Sequence, residues 1–150
     1  ALVETDAQGA KDQLDALAAD VNNGNSILAS FERAELSLRE GNEAEASKAL
    51  EDLAGLRDGD AYAKAATVFS VYTEINSGDA AKLIGKLDPL IAEEGAFTEL
   101  ALDLKAQVLA RDGKSDEALQ VLETLLGREG LDRDLQARAE TLRDSLGAGS

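Results

Sequence analysis

Cysteine, histidine, methionine and tryptophan are absent from this chain, and proline occurs once. Without cysteine or histidine, zinc, haem and iron–sulfur centres lose their usual ligands. Cysteine- and histidine-based nucleophilic catalysis is removed with them. Two tyrosines and three phenylalanines are the only aromatics. That is too few for a typical all-β core, which leans on aromatic and β-branched side chains. No apolar run approaches the length of a membrane span. Basic residues are outnumbered two to one, 15 against 30 acidic, for a net charge of −15. A nucleic-acid partner is therefore not expected, since it needs a basic stripe, and anionic membrane surfaces are disfavoured for the same reason.

What remains is a chain rich in alanine and leucine, a composition that favours helix. The stretch Glu99–Leu126 organises the rest. Leu102, Ala106 and Leu109 share one helical face, and Ala118, Leu122 and Leu125 share another. The break Arg111-Asp112-Gly113-Lys114 separates them, with Gly113 suited to the left-handed position that ends a helix. Ser115 is expected to cap the second helix, with Asp116 and Glu117 in its first turn. Ala106 and Ala118 fall where the two helices would cross, small enough for close backbone approach.

The same spacing recurs at Ala34, Gly41, Ala46 and Leu50. Gly41 and Gly78 are 37 residues apart and Gly78 and Gly113 are 35 apart, close to the period of about 34 of a tetratricopeptide repeat. Against that repeat, Leu102 replaces the usual Trp, Lys105 the Leu, Leu109 the Tyr and Gly130 the closing Pro. The middle repeat is weakest, with Val71 and Leu83 at the slots where Ala sits elsewhere, unless Ser70 takes the small slot.

In order, residues 1–9 are expected to fray and a first helix to run from Ala10 to Val21. Asn22-Asn23-Gly24-Asn25 turns, and Ser26 caps a second helix reaching Glu40. A third runs from Glu43 to Leu56, with a break at Asp58-Gly59-Asp60. The fourth, from Asp60 to Asn76, is apolar nearly all round and is read as central. Its two stripes are Tyr62-Ala66-Phe69 and Ala65-Val68-Tyr72-Ile75. The fifth starts near Asp79 and either kinks at Pro89 or stops near Leu87, Asp88 then capping a short new helix. After Glu99–Leu126, Asp132 caps a closing helix that ends at Gly147, and 148–150 form a tail. The expected fold is all-α: a degenerate helical-hairpin solenoid of about eight helices over residues 10–147, three pairs with one helix at each end.

Several stretches together resemble the tetratricopeptide-like periplasmic domain of the YfgM family, ancillary subunits of the bacterial SecYEG translocon. They are Asp15-Ala16-Leu17-Ala18-Ala19-Asp20, Leu38-Arg39-Glu40-Gly41-Asn42, Leu87-Asp88-Pro89-Leu90, Ala110-Arg111-Asp112-Gly113 and Gln136-Ala137-Arg138-Ala139. The resemblance implies a non-enzymatic domain on the periplasmic side of the bacterial inner membrane, tethered by a membrane helix outside this chain. It implies the translocon, periplasmic chaperones and envelope-assembly factors as partners. The chain begins at Ala1 and contains no Met, so a processed form or fragment is expected.

No constellation demands catalysis. Glu93 and Glu94 point about 100° apart on a helix. Asp58 and Asp60 flank a turn glycine, and Asp132 and Asp134 sit at a helix start, where aspartate is expected on conformational grounds. No calcium loop, P-loop or GxGxxG run is present. No catalytic residue, cofactor or metal is assigned. A clamp for a carboxylate tail is disfavoured, because Arg111 is the only basic residue among the expected inward positions. The expected function is a protein–protein interaction scaffold, with a structural or homo-oligomeric subunit as the alternative. The expected groove residues are Phe31, Glu35, Val68, Tyr72, Ile75, Asp103 and Gln107, with Glu35 and Asp103 at the rim for a segment with basic flanks.

Overall fold

A computed structural model describes residues 2–20, 24–57 and 59–149, with the side chains of 2–7 left undescribed. Val21, Asn22, Asn23 and Asp58, which figure in the expected helix end and turns, lie outside the described residues. The described chain is all-helical: α1 (Leu2–Ala18), α2 (Asn25–Arg39), α3 (Glu43–Leu56), α4 (Ala61–Thr73), α5 (Ala80–Ala92), α6 (Thr98–Arg111), α7 (Ser115–Leu126) and α8 (Arg133–Ala148). It divides into two compact units, Ala1–Glu74 and Ile75–Ser150. Within each unit consecutive helices pack as antiparallel hairpins in a solenoid-like succession.

The hairpin turns follow from local chemistry. Gly41 has φ 76° and Gly113 φ 78°, left-handed values that a glycine adopts without steric cost. In each turn the following residue reaches back: Asn42 N–H donates to Ser37 O at 2.8 Å and Lys114 N–H to Leu109 O at 2.9 Å. These bonds satisfy helix-end carbonyls and reverse the chain in the same way twice. Asn42, Asp60, Asp79 and Asp132 accept backbone N–H bonds at the starts of α3, α4, α5 and α8.

Both expected serine caps are displaced. Ser26 lies inside α2, buried, its carbonyl accepting the Ser30 hydroxyl at 2.9 Å. Ser115 is the first residue of α7, and Lys114 holds the cap position with no side-chain bond. The Gly113 turn delivers the chain directly into α7, so no hydroxyl is needed there. The first helix begins at Leu2 rather than Ala10. Its sequence holds no proline and a single glycine, and Gln8 donates to Asp12 one turn on at 2.8 Å. At the other end α8 continues through Gly147 to Ala148.

Pro89 neither stops α5 nor starts a new helix; α5 runs through it to Ala92. The carbonyl it leaves without a donor belongs to Gly85, which is exposed and open to water. Asp88 accepts Lys105 Nζ of α6 at 2.7 Å instead of capping. The expected third turn glycine, Gly78, is not left-handed, and α4 ends at Thr73, short of Asn76. Arg111 satisfies that turn from α6, donating to Ile75 O at 2.6 Å and Gly78 O at 2.5 Å.

Among the described residues, two core clusters hold alanines that the spacing singles out. In the first unit Ala34, Ala46, Leu50, Leu53 and Ala66 pack together; in the second, Leu102, Ala106, Leu122, Leu125, Leu135 and Ala139. Ala118 is also fully buried. Each buried leucine contributes about 1.5–3 kcal/mol, and the alanines let the helices come near enough for those leucines to interlock.

Candidate functional site

The first unit has an unusual division between inside and outside. Among the residues that α2 and α4 bury are many small ones: Ala29, Ser30, Ala34 and Ser37 on α2, and Ala63, Ala66, Ser70 and Thr73 on α4. The buried Ser30, Ser70 and Thr73 hydroxyls donate to carbonyls within their own helices, which lets them sit in a packed seam. Leu50, Leu53, Val68 and Val71 are buried with them, while a set of large apolar side chains stays outside. All the large apolar residues that are exposed among the described residues belong to this unit: Leu17, Leu28, Leu38, Leu56, Tyr62, Phe69 and Tyr72.

Five of those seven fall on two helical stripes. Leu28, Phe31, Glu35 and Leu38 follow one face of α2; Tyr62, Ala65, Phe69 and Tyr72 follow one face of α4. The stripes meet at Phe31 and Phe69, whose rings pack edge-on with centroids 5.7 Å apart. The exposed members range from 41% for Leu38 to 63% for Tyr72. Arg57 lies over the Tyr62 ring at 5.4 Å and pairs with Asp60. This corrects the two stripes read for α4. Of the stripe Tyr62-Ala66-Phe69 only Ala66 is buried, and of Ala65-Val68-Tyr72-Ile75 Val68 is buried while Tyr72 stays outside.

The expected groove residues separate accordingly. Phe31 and Tyr72 belong to the apolar face, and Glu35 sits between Leu28 and Leu38 on α2, exposed and paired with Arg39 at 2.5 Å. Val68 is buried in α4. Ile75 follows α4 in the second unit, half-buried, its carbonyl held by Arg111. Asp103 and Gln107 lie on α6 in the second unit, where Gln107 Nε2 donates to Asp103 Oδ2 at 3.0 Å and Arg138 Nη2 of α8 donates to the same oxygen at 3.1 Å.

Sequence reasoning missed the buried ionic knot joining α1, α2 and α3. Lys11 and Arg33 are both buried. Lys11 pairs with Glu40 and with Glu45, the latter at 2.8 Å; Arg33 pairs with Asp15 at 3.0 Å and Glu45 at 3.4 Å, and its Nη1 donates to Ser37 Oγ at 2.5 Å. Lys11 and Arg33 hold the Glu45 carboxyl down at about 2. Hydrogen bonds that Lys11 donates to Glu40 and Glu45 raise it above the usual lysine range. A cleft of about 680 Å³ runs beside the knot, lined by Asp15, Ser30, Arg33, Lys48, Leu53 and Leu56 among others. Its charged lining is already internally paired: Arg33 with Asp15 and Glu45, Lys48 with Asp52 at 2.9 Å. The only sequence signal for the knot is a basic residue on the inward side of each of the first two helices.

Among the described residues, no three or more acidic side chains converge as metal ligands would. No helix there is long and apolar enough to cross a membrane. No protein-family model, curated protein or solved structure matches the chain.

Proposed function

We propose that this chain is a non-catalytic protein-interaction scaffold, whose α2–α4 face receives an apolar segment of a partner protein. The observation that carries the reading is the placement of Leu28, Leu38, Tyr62, Phe69 and Tyr72, outward on two adjoining stripes. Contiguous exposed apolar surface of this kind marks interaction sites in folded proteins. Tyrosine suits such a surface, with a broad apolar body and a polar tip. Glu35 and Glu32 on α2 favour a segment with basic flanks. The periplasmic setting, the membrane tether and the translocon, chaperone and envelope-assembly partners are proposed on the resemblance of the short stretches alone.

The test is a photo-crosslinking residue at position 69, with Tyr72→Arg as the challenge. Cross-links to a distinct protein are expected at position 69 and not at exposed Lys48. Tyr72→Arg should remove them while leaving the melting midpoint nearly unchanged. Cross-links joining two copies of the chain, with a dimer in sedimentation, would replace this reading with homo-oligomerisation. Cross-links that survive Tyr72→Arg would move the binding face elsewhere.

A further inference from the structure

The second unit holds a site of different chemistry. Asp103 is 2% exposed and lines a cleft of about 470 Å³ with Gln107 on α6 and Ala137, Arg138, Thr141, Leu142 and Ser145 on α8. A carboxylate so deeply placed needs more than one good partner to offset its lost hydration. Gln107 and Arg138 both donate to Oδ2, and among the described residues Oδ1 accepts no hydrogen bond. Arg138 engages through one nitrogen only, and its side chain is 60% exposed. An ion pair held that loosely in water contributes little. Burial accordingly pushes the Asp103 carboxyl up, against the opposing pull of Arg138 and Gln107.

We propose that the α6–α8 cleft recognises an arginine side chain presented by a partner protein, which displaces Arg138 from Asp103. A guanidinium offers two parallel N–H bonds and would engage both Asp103 oxygens where Arg138 engages one. Ala137 and Leu142 give its methylene stem an apolar wall, while the Arg138 side chain is 60% exposed. Gln107 keeps the carboxylate oriented through Oδ2 during the exchange. The chain's net charge of −15 draws basic segments towards it. This deepens the scaffold reading but uses none of the α2–α4 face, so either can fail alone.

The full chain, labelled with ¹⁵N, is titrated with a blocked Ser-Leu-Arg-Leu-Ser peptide and with the same peptide carrying citrulline for arginine. Amide shifts on α6 and α8 around Asp103, Gln107 and Leu142 are expected with the arginine peptide, and at least ten-fold weaker binding with citrulline. Asp103→Asn should weaken the arginine peptide at least ten-fold. Arg138→Ala should tighten it several-fold, because the internal competitor is gone; a merely structural ion pair predicts no such gain. Should Asp103→Asn fail to fold, the citrulline and Arg138→Ala arms still decide. Equal binding of the two peptides, weaker binding by Arg138→Ala, or shifts confined to other helices would overturn the proposal. Loss of the position-69 cross-links would leave these results untouched.

Discussion

The ring of Phe31 on α2 meets that of Phe69 on α4 edge-on, the planes at 86° and the centroids 5.7 Å apart. In the second unit the residue at the same spacing before the crossing alanine is Asp103, three before Ala106 as Phe31 is three before Ala34. There the neighbouring helix supplies Arg138 instead of a ring. One register position thus makes an aromatic tie in one unit and a buried charge in the other. An edge-to-face pair is worth about 0.5–1.5 kcal/mol beyond its area. A double-mutant cycle of Phe31→Leu and Phe69→Leu, read by denaturant unfolding, should return a coupling of that size. Additive single effects would show that the rings stabilise the protein independently.

Ala106 is fully buried beside Leu122 and Leu125. Ala106→Leu should overpack the α6–α7 crossing and destabilise by about 1–3 kcal/mol. Ala81→Leu, on the exposed side of α5, should change stability by no more than about 0.5 kcal/mol. Melting both variants beside the parent chain checks the pair, and equal midpoints would place Ala106 at the surface.

Glu45 links pH to the docking of α1. Its folded value of about 2 lies below its ordinary 4.5, because Lys11 and Arg33 hydrogen-bond the ionised form. The stability it contributes is therefore present above pH 4.5 and is lost as the pH falls towards 2. Glu40 and Asp15 face the same two cations. Hydrogen exchange should show the amides of Lys11–Ala18 losing protection across that window before those of α5–α8 do. Glu45→Gln should bring the same loosening at neutral pH. Protection of α1 that stays level with α2 and α3 throughout would rule the linkage out.

Much of the architecture was legible because it is local. The left-handed glycines at positions 41 and 113, the Asp132 cap and the buried alanines at 34, 46, 106 and 118 each follow from a few neighbouring residues. Elsewhere the structure adds what spacing did not show. The turn at Gly78 differs from those at Gly41 and Gly113: it is not left-handed, and Arg111 donates to its carbonyl from 33 residues away. Of the two outcomes open at Pro89, the helix continues, and Gly85, four residues back, is exposed. Of the expected groove residues, Phe31, Glu35 and Tyr72 lie on one apolar face, Val68 is core, and Asp103 and Gln107 share a cleft of their own. On α4 the expected stripes are regrouped: Tyr62, Phe69 and Tyr72 stay outside, and Ala63, Ala66, Val68, Ser70, Val71 and Thr73 are buried.

The sequence by itself determined that this protein is all-helical, where most of its helices begin and end, and which small residues lie at their crossings. Those outcomes depend on backbone propensity, caps and the 3.6-residue period, all of which act within a turn or two of chain. Only the tertiary structure decided that the chain divides after Glu74, that Lys11 and Arg33 are buried among carboxylates, and that Tyr62, Phe69 and Tyr72 stay outside while Asp103 goes in. Whether a side chain is covered depends on which distant residues arrive beside it, and helical spacing specifies a face without specifying what meets it.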